Sequence, residues 1–349
     1  MAVKHSILTY YLKIWVPHLA KTRRPLAYVD GFAGRGIYPG GELGSPLLAL
    51  KVMADYAGRI DPSQRFDCYF VEKDDDNFGN MQAAVIAHPA VVGGWVRPHF
   101  FRDTFQSASQ QIIRAIRLKD QPSFVFADQF GYSHAPMSVL GEVLRLPKAE
   151  LLVNVMSWAA LWGLSCPDVE ETLDSAVGSP DWRALVDLHG LERERGLIDL
   201  YCRELKRRDA QFTIPFRMGF DDRDRTLYYL VHATKHVKGA SLMKQAMVAS
   251  GSRSELGYAG ETRHRMSPLF NLDADNLPVH LLRRFAGQTL TFSDVVARTI
   301  EETGTCVEVD YRRCLKQLDR DGVIKVQRVS TVRGLDKDDR IMFPLAVGL

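Results

Sequence analysis

The sequence predicts an α/β protein: a parallel sheet covered by helices and interrupted by a helical insertion, then a small C-terminal unit. Three observations predict it. Apolar, strand-like runs alternate with stretches of helical periodicity from Leu26 to Val155, the order that produces a parallel sheet under helices. Four of those runs end on or beside an acidic residue, Asp30, Glu72, Asp103 and Asp128. After residue 288 the pattern restarts as helix, helix and basic strand.

In order, residues 4–20 space Ile7, Leu8, Tyr11, Leu12, Trp15 and Leu19 as one helical face. Leu26 to Val29 is a short buried strand running into Asp30-Gly31-Phe32-Ala33-Gly34-Arg35-Gly36. Pro46 to Tyr56 is a helix, with proline tolerated in its first turn. Asp67 to Glu72 is the second strand, Asn77 to Ile86 a helix, and His99 to Asp103 the third strand end. Ser107 to Leu118 is helical, Phe124 to Asp128 is the fourth strand and Glu150 to Val155 the fifth. Residues 157–215 read as a helical insertion or cap, in which Trp158, Trp162 and Trp182 mark packing. Leu227 to His232 returns to strand, and Lys238 to Ser250 to helix. The expected division is therefore a Rossmann-like domain over 1–251, a polar linker over 252–287 and a winged-helix-like domain over 288–349. In that last unit Ser293 caps a helix from Asp294 to Glu302, and a second helix, Val309 to Arg320, leads into the strand Val323 to Val326.

The bulk numbers bound the function. At 349 residues the chain has room for one large domain and a smaller one. No apolar run is long enough to span a membrane. The start, Met1-Ala-Val-Lys-His5, lacks the charged head and apolar core of a signal peptide. Cys68, Cys166, Cys202, Cys306 and Cys314 are scattered with no CxxC pair, which argues against a disulfide framework or a zinc site and for a cytoplasmic location. A net charge of +3 permits a nucleic-acid partner without requiring one.

In open parallel sheets ligands sit outside the carboxyl ends of the strands, where all four acidic residues fall. Gly34 and Gly36 let backbone approach a ligand closely. That combination suits S-adenosylmethionine (SAM): Asp30 accepting from its ammonium directly or through water, Phe32 beside it, Glu72 binding both ribose hydroxyls, and Asp103 accepting from the adenine amino group. The alternative for the first motif is a tight strand-to-helix turn without ligand. Asp128-Gln129-Phe130-Gly131-Tyr132 offers an acceptor for an amine and, in Phe130 or Tyr132, an aromatic face for a base; the alternative is a plain aromatic turn. Lys4, His5 and Ser45 are placed to touch substrate or cofactor, with a surface basic pair and a helix cap as the plainer readings. Arg312, Arg313 and Lys316 share one side of a helix, with Lys325 and Arg328 on the wing, a face suited to phosphates but diluted by Asp310, Asp319 and Asp321.

Lys4-His5, Tyr28-Val-Asp-Gly-Phe-Ala-Gly34 and Gly44-Ser-Pro-Leu-Leu-Ala-Leu50, together with Tyr228-Tyr-Leu-Val-His-Ala-Thr-Lys-His236 and Met243-Lys-Gln-Ala-Met247, resemble the three-Cys-motif partner (TcmP) family over most of the chain. In that family the cysteine motif belongs to a genomic partner, a radical-SAM-like phage-type protein, so the resemblance implies association with such a protein. The N-terminal part is also similar to bacterial adenine-N6 methyltransferases of large-subunit ribosomal RNA. By that likeness Asp30, Gly34 and Gly36 match the cofactor loop, Glu72 the ribose acid, and Asp128 the head of the catalytic motif. Amino methyltransferases follow that acid with two prolines and an aromatic residue, and TcmP proteins more often carry one proline where Gln129 stands here.

The leading expectation is a SAM-dependent methyltransferase acting on an exocyclic base amine in nucleic acid, adenine favoured. A non-catalytic partner that binds SAM or a nucleotide and recruits a complex is the alternative. A third reading is methylation of a small molecule or protein.

Overall fold

The structure, a computed structural model, describes residues 2–22, 24–57, 64–156, 169–219, 226–251, 257–258, 276–329 and 334–345. Helix α1 (Ala2–Ala20) buries Ile7, Leu8, Tyr11, Leu12, Trp15 and Val16 as its inner stripe. Then come β1 (Leu26–Asp30), α2 (Ser45–Ala57), β2 (Phe66–Val71), α3 (Asp75–Ile86), α4 (Pro89–Val92), β3 (Val96–Phe101) and α5 (Phe105–Leu118). They are followed by β4 (Ser123–Ala127), α6 (Met137–Leu144) and β5 (Ala149–Val155). β1, β2, β4 and β5 are buried along their whole lengths, which is why they read as continuous apolar runs.

Beyond β5 lie α7 (Glu170–Val177), a 3-10 turn (Pro180–Leu185), α8 (Gly190–Arg207), β6 (Phe212–Gly219), β7 (Thr226–Thr234), α9 (Val237–Ser250) and the two-residue β8 (Gly257–Tyr258). The sheet order is β3-β2-β1-β4-β5-β7-β6-β8. β7 runs antiparallel to β5 and β6, while β1 to β5 are mutually parallel. The order reverses between β1 and β4, so the crevice of a Rossmann-like sheet opens there.

Two boundaries differ from expectation. The helical region predicted over 157–215 ends earlier, because Phe212–Pro215 already belongs to β6; residues 157–168, with Trp158 and Trp162, lie outside the described residues. Trp182 is buried in the small cluster of Leu173, Val177, Leu197 and Leu200. The predicted linker, 252–287, contains α10 (Leu277–Arg284), whose Leu277, Leu281 and Leu282 are buried in the main core. Most of the rest of that stretch lies outside the described residues.

The C-terminal unit continues as β9 (Thr289–Thr291), α11 (Phe292–Thr299), α12 (Glu308–Arg320), β10 (Lys325–Gln327) and β11 (Arg340–Met342), with strand order β10-β11-β9. This is a winged helix. The cap of α11 is Thr291 rather than Ser293: its hydroxyl accepts from Asp294 N at 3.0 Å, and the Asp294 side chain accepts back from Thr291 N. The unit shares one hydrophobic core with the sheet domain, since Met243 and Met247 of α9 cluster with Leu281, Val295 and Tyr311. Among the described residues, no helix is long and apolar enough to cross a membrane, and no group of His, Cys, Asp and Glu is placed to hold a metal ion.

Candidate active site

Strand register sets the depth of each carboxylate. Asp30 is level with Phe70 of β2 and Phe126 of β4. Glu72 and Asp128 therefore stand two residues higher, at the rim, while Asp30 sits at the floor. Asp30 is fully buried, and donors enclose it: Tyr28 Oη at 3.2 Å, Phe32 N at 3.4 Å and the Ser45 hydroxyl. Burial pushes its carboxyl up to about 7, against the opposing hydrogen bond from Ser45. Direct acceptance from a ligand ammonium is not what this enclosure provides. Asp30 organises the turn from beneath, and Ser45, the first residue of α2, is turned inward to it rather than toward a substrate.

Above it the chain turns through Gly34 (φ 62°) and Gly36 (φ 81°). At Gly36 a Cβ would lie 3.0 Å from the Cα of Met81, so both the left-handed backbone and the approach of α3 require glycine. Gly34 N donates to Glu72 Oε2 at 2.8 Å and Asp74 N to Glu72 Oε1 at 2.9 Å. Each Glu72 oxygen keeps a lone pair for an outside donor. Phe32 is half-buried with its ring 5.8 Å from Phe105. Asp103 is exposed beyond β3, and its Oδ1 accepts from Thr104 N at 2.7 Å at the start of α5. Tyr38, absent from the sequence expectations, is half-buried on the same loop; burial first, then the charges of Asp128, Asp30 and Glu72, raise its phenol.

Asp128 is held by two partners. Lys4 of α1 pairs with its Oδ2, and Asn154 Nδ2 donates to its Oδ1 at 2.9 Å. The Lys4 ammonium also lies 5.5 Å from the ring centre of Tyr228 on β7. His5 beside it is driven down to about 4 by burial and then by the Lys4 charge, so its imidazole is neutral at pH 7. Lys4 thus serves Asp128 directly, a role that a basic pair ahead of a helix did not reveal. Strand register brings Asn154 there, because Ala127 pairs with Val153 and the next residues along are Asp128 and Asn154.

Gln129 is buried, and its side chain locks the loop after β4. Nε2 donates to the Asn154 carbonyl at 3.1 Å, and Oε1 accepts from Ala135 N at 2.9 Å. Phe130 follows with 88% of its surface exposed. Tyr132 instead packs against the cluster around Leu173 and Trp182, which leaves Phe130 as the open aromatic face.

In the winged helix, Arg312 is not free to face a partner. It donates to Glu308 Oε1 at 2.7 Å and lies 4.4 Å over the Phe292 ring. Arg313 is exposed and 3.9 Å from Asp310, and Lys316 is half-buried. Arg328 is tied to Asp339 at 3.1 Å within the wing.

A family model described as a GMT-like wHTH domain matches residues 257–330. No curated protein matches the chain. Among solved structures, the chain is similar to protein LPL1258 from Legionella pneumophila str. Philadelphia 1, of family DUF519, at 12% identity and TM-score 0.39, over 67% of this chain and 84% of that one. It is similar to Trm1 from Pyrococcus horikoshii in complex with S-adenosyl-L-methionine at 12% identity and TM-score 0.39, over 99% and 91%. It is also similar to a geranyl diphosphate methyltransferase in complex with GPP and sinefungin at 10% identity and TM-score 0.24, over 61% and 72%. Similarities at this level leave the chemistry to be read from this chain's own residues.

Proposed function

We propose that the protein is a SAM-dependent methyltransferase acting on an exocyclic amino group of a base in nucleic acid, with adenine favoured. The observation that carries this reading is the pair of rim carboxylates, Glu72 and Asp128, flanking a glycine turn at the point where the sheet order reverses. The cofactor fits the residues present. Glu72 keeps two lone pairs for the two ribose hydroxyls, Gly34 opens the backbone beside them while Gly36 seats the turn against α3, Asp103 reaches from the next strand for the adenine amine, and Phe32 borders the turn. SAM would supply a methyl group already activated on a sulfonium.

The chain's own groups would do the rest by alignment and charge. Asp128, fixed by Lys4 and Asn154, accepts a hydrogen of the target amine and takes its proton. Phe130 gives the base a stacking face. Since Phe130 stands in solvent, a base from a duplex would have to leave its stack to reach it, at a cost of a few kcal/mol. The N-terminal motifs support kinship with TcmP proteins, and with it a radical-SAM-like partner in the cytoplasm.

One observation favours a non-catalytic role instead: the Lys4 ammonium already occupies Asp128. Calorimetric titration with SAM, with Glu72→Ala as control, followed by a tritiated-methyl screen against RNA and DNA, separates the readings. Saturable binding weakened at least roughly tenfold in Glu72→Ala, with label transferred to a polymer and lost in Asp128→Ala, is the expected result. Saturable binding without transfer would favour the non-catalytic role, and no binding would remove the cofactor reading.

A further inference from the structure

The winged helix is bolted to the sheet domain at a particular place. Lys244 of α9 is fully buried, and its ammonium donates to Ile300 O at 2.5 Å and Thr303 Oγ1 at 3.2 Å, just past the end of α11. Glu301, between them, accepts from Lys206 at 2.7 Å, Thr213 N at 2.7 Å and Thr213 Oγ1 at 3.0 Å. Glu308, the first residue of α12, accepts from Lys238 at 3.0 Å. Thr213 pairs with Ala233, and Ala233 with Leu151, which places it toward the start of β5. Lys238 follows the end of β7 that lies at the same edge. The acidic rim is at the other edge. Three strand spacings and three residues separate Thr213 from Asp128, on the order of 15–20 Å.

On α12, Tyr311, Leu315 and Leu318 face the core. The opposite stripe is Arg313, Lys316, Gln317 and Arg320, spaced i, i+3, i+4 and i+7, with Arg313, Gln317 and Arg320 exposed. The aspartates that dilute this face in the sequence keep their charge, but each carboxylate is oriented by a neighbouring N–H donor. Asp310 accepts from Val307 N at 3.0 Å, Asp319 from Val326 N at 2.9 Å, and Asp321 from Gln317 Nε2 at 2.8 Å. Among the described residues neither Lys316 nor Arg320 meets a carboxylate. Exposed Lys325 on β10 extends the charge beyond the helix end.

We infer that this stripe is an anchor for the phosphate backbone of a duplex, fixed away from the acidic rim, so that the polymer is gripped at one place and presented at another. The inference deepens the nucleic-acid reading above and rests on it for the meaning of the second place. From Arg313 to Arg320 the stripe is about 10 Å long, matching about three base steps along a groove wall.

The test is fluorescence anisotropy of the full chain with labelled 30-base-pair DNA, 30-base-pair RNA and a single strand of equal charge, across a salt series. Gln317→Glu/Arg320→Glu should weaken duplex binding roughly tenfold and reduce the salt slope by about 1, and the duplex bound more tightly identifies DNA or RNA. Should that variant melt below wild type, Gln317→Ala/Arg320→Ala gives the same readout with a smaller change. Unchanged affinity and slope, no duplex binding by wild type, or equal binding of the single strand would overturn the inference. A SAM titration on the same preparation keeps the two claims apart: duplex binding lost in the variant while SAM fails to bind wild type retains the anchor and removes the methyl-transfer reading.

Discussion

The ammonium of Lys4 and the carboxylate of Asp128 form an ion pair that ties the first turn of α1 to the end of β4. With Asn154 on the other oxygen, the pair gives Asp128 one orientation. Lys4→Met should therefore lower methyl transfer by about 10²-fold, the scale of losing one aligned charge partner. SAM affinity should be largely unchanged, since Glu72 and the glycine turn belong to other elements. Comparing turnover with SAM titration checks this; equal losses in both would contradict it.

Asp30 supplies a pH dependence whose sign is fixed. Its folded value of about 7 is above the ordinary 3.8, so the folded chain holds a proton that the unfolded chain releases. Its contribution to stability is full below about pH 4 and is lost as pH rises through 7. The melting temperature of Asp30→Asn minus that of wild type should consequently climb between pH 5 and 7. A flat difference would show that the enclosure of Asp30 leaves its titration unperturbed.

Gly36 and Gly41 separate two costs of adding a methyl group. Both have positive φ, but a Cβ at Gly36 meets Met81 while one at Gly41 meets nothing within 4 Å. Gly41→Ala should cost about 1 kcal/mol and Gly36→Ala about 2–3 kcal/mol, measured by denaturant titration. Equal losses would mean that α3 yields freely.

Lys244 predicts the opposite pH trend at the domain joint. Burial lowers its ammonium to about 7 from 10.5, so above pH 7 the unfolded chain binds the extra proton and stability rises with pH. Wild type should gain in melting temperature relative to Lys244→Met between pH 7 and 8.5. A difference that stays constant over that window would contradict it.

The parallel half of the sheet was legible because strands buried on both faces are uninterrupted apolar runs that stop at a polar end. β6 was not. Phe212-Thr-Ile-Pro-Phe-Arg-Met-Gly219 carries Pro215 and Arg217, which look like breaks until the fold shows Arg217 fully buried and donating to Thr226 at 2.6 Å, near Glu194. α10 was hidden by Pro278 and its polar surroundings. Within the site, the carboxylates at strand ends could be found from the chain alone. The depth of Asp30 could not, because it depends on how neighbouring strands are staggered. Nor could the partner of Asp128, which comes from a helix more than a hundred residues earlier.

Helix α1 has consequences for how the molecule comes into being. Tyr11 and Trp15 donate to Glu150, 139 and 135 residues away, and Ser6 meets Ser250. Helix α1 can pack on α2 as soon as that helix is made, but its Glu150 partner and its seat on α9 arrive only with the fifth strand and the later elements. Such distant closures are entropically slow, and an exposed apolar helix waiting for them is open to aggregation. A nascent or truncated chain would fold its glycine turn before Asp128 acquires Lys4, so partial products would have the turn without the ion pair.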